Sequence, residues 1–233
     1  MALPKISLPI YELELPSNGK KVKYVPFTVK EEKILLIAQE GKDPLQIINS
    51  VKQIVNNCLL NCSLDELAVF DLEFLLVNIR SKSIDDVIKF KITDPDTEKE
   101  VELELNLSDV KVKKDPDHTN KIKIDDTYTL FLKYPNIDDF FEILSSEKPN
   151  SQKNFDIMMS CMSQLVSEEE VYNFKDFTKK EIDDFVESLH HDTIKKIKQF
   201  FDSIPKTRHE INYKNSNGED KTFVIQGTQT FFI

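Results

Sequence analysis

Apolar and polar positions change period several times along the chain, and each change marks an element. Two short runs of alternating character, Pro9 to Leu15 and Lys21 to Phe27, flank Ser17-Asn18-Gly19-Lys20. The alternation predicts two strands, and Asn-Gly supplies the positive φ angles of a tight hairpin turn. Thr28 stands three residues before Glu31, a capping-box spacing, which predicts a helix through Ile34, Leu35 and Ala38 to a stop near Gly41. Asp43 and Pro44 open a second helix with one apolar stripe, Leu45, Ile48, Val51, Ile54 and Val55, that runs to about Leu60. Ser63 and Glu66 repeat the capping spacing ahead of a third helix through Leu67, Phe70, Phe74 and Ile79, apolar over most of its circumference. Such a helix is either sandwiched between layers or meets another chain.

From Val87 the period becomes two. Val87 to Ile92 and Val101 to Leu105 alternate apolar with charged residues around Asp94-Pro95-Asp96, the pattern of half-buried antiparallel strands. Lys111 to Lys123 is polar, contains Asp-Pro and has no period, so it is expected to be a mobile connection between lobes. A strand is expected over Tyr128 to Tyr134. Helical spacing then covers Ile137 to Leu144, Phe155 to Val166, Lys179 to Leu189 and Thr193 to Ile204, enough for a small bundle. A second Asn-Gly, Asn217-Gly218, sits between His209 to Tyr213 and Thr222 to Gln226 and predicts a closing hairpin. The expected fold is α+β: an antiparallel sheet with packed helices, then a helical lobe and a C-terminal hairpin. The corresponding segments are 1–134, 135–205 and 206–233.

Composition narrows the partners. Forty-one acidic against thirty-one basic residues give a net charge of −10, a field that repels phosphate backbones, so nucleic acid is not expected. The longest apolar run, Ile34 to Ala38, falls far short of the roughly 18 residues of a membrane span, and a soluble protein is expected. The start, MALPKISLPI, has no secretory pattern, and the three cysteines form an odd set, which together suit a reducing cytosol.

Candidate chemistry is sparse. Gly19, Gly41, Gly218 and Gly227 are the only glycines and do not cluster, so no phosphate-cradling loop can be written, and no Gly-x-Ser-x-Gly elbow occurs. Cys58 and Cys62 lie four apart on one predicted helix and so share a face, yet two zinc ligands need two more. His118, His190, His191 and His209 show no ligand spacing, and Asp192 reads as a helix N-cap. Acidic pairs such as Asp125-Asp126 and Asp183-Asp184 have no convergent partner. The basic cluster of Lys111, Lys113, Lys114, Lys121 and Lys123 lacks interleaved aromatics and reads as a solvated edge. No metal, cofactor or catalytic residue is expected. The interaction candidates are apolar: Phe70, Phe74 and Val77 on the third helix, which otherwise complete the core, and Phe231, Phe232 and Ile233 at the chain end.

Several blocks carry a resemblance: MALPKI, PFTVKEEKILLIAQE from Pro26, FDLEFLLVNIRSKSI from Phe70, YKNSNG from Tyr213 and IQGTQTFF from Ile225. In this order they resemble the baseplate hub subunit and hub assembly family of T-even-like contractile-tailed bacteriophages. The resemblance implies a non-enzymatic part in tail assembly, in host cytoplasm and virion, through contacts with hub or tape-measure proteins. One alternative is a transient hub assembly chaperone that leaves the finished particle. A remoter one is a metal-dependent hydrolase using His190, His191 and a carboxylate.

Overall fold

The computed structural model describes residues 6–41 and 44–226. The chain divides into two compact units, residues 1–113 with 206–233, and residues 114–205.

The first unit begins with the expected hairpin, β1 (Tyr11–Glu14) against β2 (Lys21–Tyr24). Its turn is wider than two residues. The Leu15 amide donates to the Lys20 carbonyl at 2.9 Å and the Gly19 amide to the Leu15 carbonyl at 2.8 Å. Gly19 alone carries a positive φ there, +73°, because Pro16 locks a negative φ at the head of the loop and only its last residue must turn left-handed.

Helix α1 (Val29–Gly41) starts where expected: the Thr28 amide and hydroxyl both donate to Glu31 Oε2, at 3.1 and 2.6 Å. Glu31 Oε1 accepts from Asn57 Nδ2 at 3.2 Å, which ties α1 to α2 (Pro44–Cys58). Burial pushes the Glu31 carboxyl up, but these hydrogen bonds outweigh it and leave it lowered. The stripe of α2 is buried at Val51, Ile54 and Val55. After Cys58 the chain adds itself to β2: Val25 N–H donates to the Cys58 carbonyl and Leu60 N–H to the Lys23 carbonyl, both at 2.9 Å.

The Ser63 and Glu66 pair caps only a 3-10 turn, Leu64–Glu66, and α3 (Val69–Ser83) begins later than its spacing suggests. Asp71 sets that start: its carboxylate accepts from Ala68 N–H and from Ser17 N–H in the β1–β2 loop, each at 3.0 Å. As the wide apolar surface requires, α3 is sandwiched, packing against α2 and against strands of the same unit. Strands β3 (Val87–Thr93) and β4 (Glu100–Asn106) pair from Val87↔Asn106 to Thr93↔Glu100, burying Ile88, Phe90, Leu103 and Leu105 beside Val77. The short β5 (Lys111–Lys113) follows, so the Lys111 to Lys123 stretch is not structureless.

The second unit contains the expected helices, α4 (Ile137–Ser145), α5 (Asn150–Ser160), α6 (Lys179–Glu187) and α7 (His191–Asp202), but it is not a bundle. A four-stranded antiparallel sheet runs through it, ordered β6 (Lys121–Lys123), β7 (Thr129–Leu132), β8 (Met162–Val166), β9 (Val171–Asn173). The segment expected as one helix from Phe155 to Val166 is the end of α5 followed by β8. Leu130 and Leu132 from the sheet, with Ile197 and Phe200 from α7, form the core.

The chain then re-enters the first unit as β10 (Lys206–Lys214), which pairs with β5 at Lys206↔Lys113 and with β11 (Asp220–Gln226) as the C-terminal hairpin. Strand pairing therefore groups the chain differently from 1–134, 135–205 and 206–233: β6 and β7 join the α4–α7 segment through β8, and the closing hairpin joins the first unit through β5.

Candidate functional site

A cleft of about 720 Å³ lies wholly within the second unit. Its apolar wall comes from Leu165 of β8, Phe174 in a 3-10 turn, and Ile182 and Phe185 of α6. Phe174 and Phe185 meet edge to face with centroids 5.5 Å apart. Tyr172 of β9 and Phe177 stand at the lip, their rings 6.4 Å apart, and Phe177 is 41 % exposed. An aromatic side chain that open is unusual in a core and common where another molecule docks.

Two carboxylates line the same cleft, Asp125 and Glu181, with no Lys or Arg. Both are fixed by local backbone. Asp125 Oδ1 accepts from Thr127 N–H at 2.8 Å and Tyr128 N–H at 2.7 Å, in the turn between β6 and β7. Glu181 Oε2 accepts from the Thr178 hydroxyl and amide, each at 2.7 Å, completing the capping box expected from the sequence. Those bonds hold the Glu181 carboxyl below the ordinary glutamate range. The cleft is thus an apolar floor with anionic groups along its wall.

A second cluster gathers around His118. Its Nδ1 lies 2.8 Å from Ser203 Oγ and its Nε2 3.0 Å from Tyr134 Oη, while its ring stacks on Phe200 at 5.1 Å. Ser203 Oγ also lies 2.7 Å from the Gln199 carbonyl and 3.1 Å from the Phe200 carbonyl, and because carbonyls only accept, the arrangement that satisfies every group has the serine oxygen accepting from Nδ1–H and Nε2 accepting from the tyrosine. A serine whose hydroxyl hydrogen is directed at a backbone carbonyl is not placed to pass it to the histidine, as an activated nucleophile would be. Burial, with Lys114 adding to it, lowers the His118 pKa and favours the neutral ring this chain of bonds requires.

The apolar residues singled out by sequence that fall within the described residues all sit on α3. Phe70 and Val77 are buried inside the first unit, and Phe74 is half-buried on α3. Phe231, Phe232 and Ile233 lie outside the described residues. The second helix stops at Cys58, so Cys62 is not on one helical face with it, and Cys62 instead sits near Lys20 Nζ at 4.0 Å. His190, not Asp192, occupies the N-cap of α7, its Nδ1 accepting from Asp192 N–H at 3.4 Å. Among the described residues no group of three His, Cys, Asp or Glu side chains is placed to hold a metal ion, and no helix is long and apolar enough to cross a membrane. The cleft went unforeseen. Its one sequence signal is the run Tyr172, Phe174, Phe177, three aromatics in six residues among acidic neighbours.

A family model described as T4 bacteriophage base plate protein matches residues 8–233. No curated protein and no solved structure matches the chain.

Proposed function

This chain belongs to the T4 bacteriophage base plate protein family, and on that premise we propose that it works as a minor component of the baseplate hub, assembled through protein–protein contacts without catalytic turnover. The extent of the match carries the reading, since it takes in both units rather than one recurrent motif. The apolar cleft of the second unit, with an exposed aromatic lip, is the kind of surface such contacts use. The terminal Phe231, Phe232 and Ile233 are a further proposed contact with hub or tape-measure proteins, formed in host cytoplasm during tail assembly. The net charge of −10 argues against nucleic acid as the partner.

Mass spectrometry of purified virions, beside the lysate that produced them, tests the hub role. Detection in particles at a fixed ratio to other baseplate proteins is the expected result. A chain abundant in the lysate and missing from particles overturns it in favour of a hub assembly chaperone.

A further inference from the structure

We propose that the cleft of the second unit receives an aromatic or large aliphatic side chain of a partner protein that carries lysine or arginine beside that anchor. The inference rests on the baseplate reading for the class of occupant, a protein, and on the cleft for its chemistry. The floor formed by Leu165, Phe174, Ile182 and Phe185 offers an apolar side chain the burial that drives interface anchoring, and Phe177 is left open to cover it. The charges then choose among apolar anchors. Asp125 and Glu181 face the cleft with no Lys or Arg in its lining, where His190 is the one basic side chain, and each is held by two hydrogen bonds from its own turn or cap rather than by an ion pair that an incoming group would have to displace. The second unit as a whole carries nineteen Asp and Glu residues against twelve Lys and Arg, so the field around the cleft has the same sign. An occupant with carboxylates or phosphates beside its anchor meets that field as repulsion, and one with lysine or arginine meets it as attraction.

The chain contains no tryptophan, which leaves a spectroscopic window for the test. Two capped synthetic peptides, one with a single tryptophan flanked by lysines and one with the same tryptophan flanked by glutamates, are titrated with the full-length protein while tryptophan emission is followed. The expected result is that the lysine peptide binds roughly tenfold or more tightly than the glutamate peptide, equivalent to about 1.4 kcal/mol, with the advantage shrinking as salt is raised. Asp125→Asn combined with Glu181→Gln, which keeps oxygen acceptors for the turn and the cap, removes most of that preference. Phe177→Ala weakens both peptides several-fold at an unchanged melting temperature. Equal binding of the two peptides, binding of neither, or lysine-peptide binding indifferent to Phe177→Ala overturns the proposal. None of those outcomes bears on whether the chain is found in virions, so failure here is distinct from failure of the hub reading.

Discussion

Tyr213 donates its phenolic hydrogen to Asp94 Oδ2 at 2.7 Å, joining residues 119 positions apart in sequence. The other oxygen of Asp94 accepts from Thr97 N–H and from the Thr97 hydroxyl, each at 2.9 Å, so one buried carboxylate closes the β3–β4 loop and fastens the C-terminal hairpin to it. A second link runs beside it, Lys221 Nζ to Asp96 Oδ2 at 2.6 Å.

The bond sets a pH dependence. The Tyr213 hydroxyl, with the Thr97 and Asp96 donors, holds the Asp94 carboxyl below its ordinary value. A carboxyl that titrates lower when folded contributes stability that is whole above its unfolded value, about 3.9, and is lost as pH falls through the lower folded one. Tyr213→Phe is expected to lower the urea midpoint of the first unit at pH 7, with the gap from the parent narrowing once the pH drops below about 4. Equilibrium denaturation at a series of pH values, read by tyrosine emission or circular dichroism, checks both parts.

Two loops in the first unit close alike. Asp94 N–H donates to the Lys99 carbonyl and Glu98 N–H to the Asp94 carbonyl, both at 2.9 Å, repeating the Leu15, Lys20 and Gly19 pattern. Glu98 occupies the position of Gly19 and is forced to φ +54°. A side chain in that region costs about 1 kcal/mol. Glu98→Gly is therefore expected to raise stability by about that amount less the entropy glycine adds to the unfolded chain, and Gly19→Ala to lower it. Paired urea titrations of the two variants would show the opposite signs.

Core and cleft lip of the second unit have separable roles. Leu130 is fully buried at the centre of the sheet, and Leu130→Ala should cost about 3 kcal/mol through lost burial and a residual cavity. Phe177 touches solvent, and Phe177→Ala should stay within about 0.5 kcal/mol of the parent. Thermal melts of both variants test whether the lip serves docking rather than folding.

Thiol reactivity should single out one cysteine. Burial, with Glu31 adding to it, pushes the Cys58 thiol up to about 12, and burial pushes Cys161 to about 12. Cys62 is partly exposed. Iodoacetamide is expected to label Cys62 alone in the native chain and all three in denaturant, as peptide mass spectrometry would resolve.

Local chemistry made much of this fold legible. Asn18-Gly19 and Asn217-Gly218 both mark hairpins, and Thr28 with Glu31 and Thr178 with Glu181 both mark helix starts, because each signal is satisfied within four residues. Met162 to Val166 was not legible as a strand. Its Met162, Leu165 and Val166 continue the helical spacing of Ile157 and Met158, and what makes it a strand is pairing with Thr129 to Leu132, thirty or more residues earlier. The start of α3 failed for the same reason, since Asp71 takes its second donor from Ser17. The cleft is the extreme case. Its lining spans the β6–β7 turn to α7, so no window of sequence holds it, and only the aromatic run at Tyr172 to Phe177 hints at a lip.

The pairing of Lys113 with Lys206 has a topological consequence. Residues 114 to 205 leave from and return to one rung of that ladder, so along the chain the second unit is a guest inserted into its host at a single doorway. The loop-closure entropy of such a doorway grows only slowly with what hangs beyond it. Length added between Lys113 and Lys206 therefore costs little in closing that loop, and the host's strands can keep their register around it.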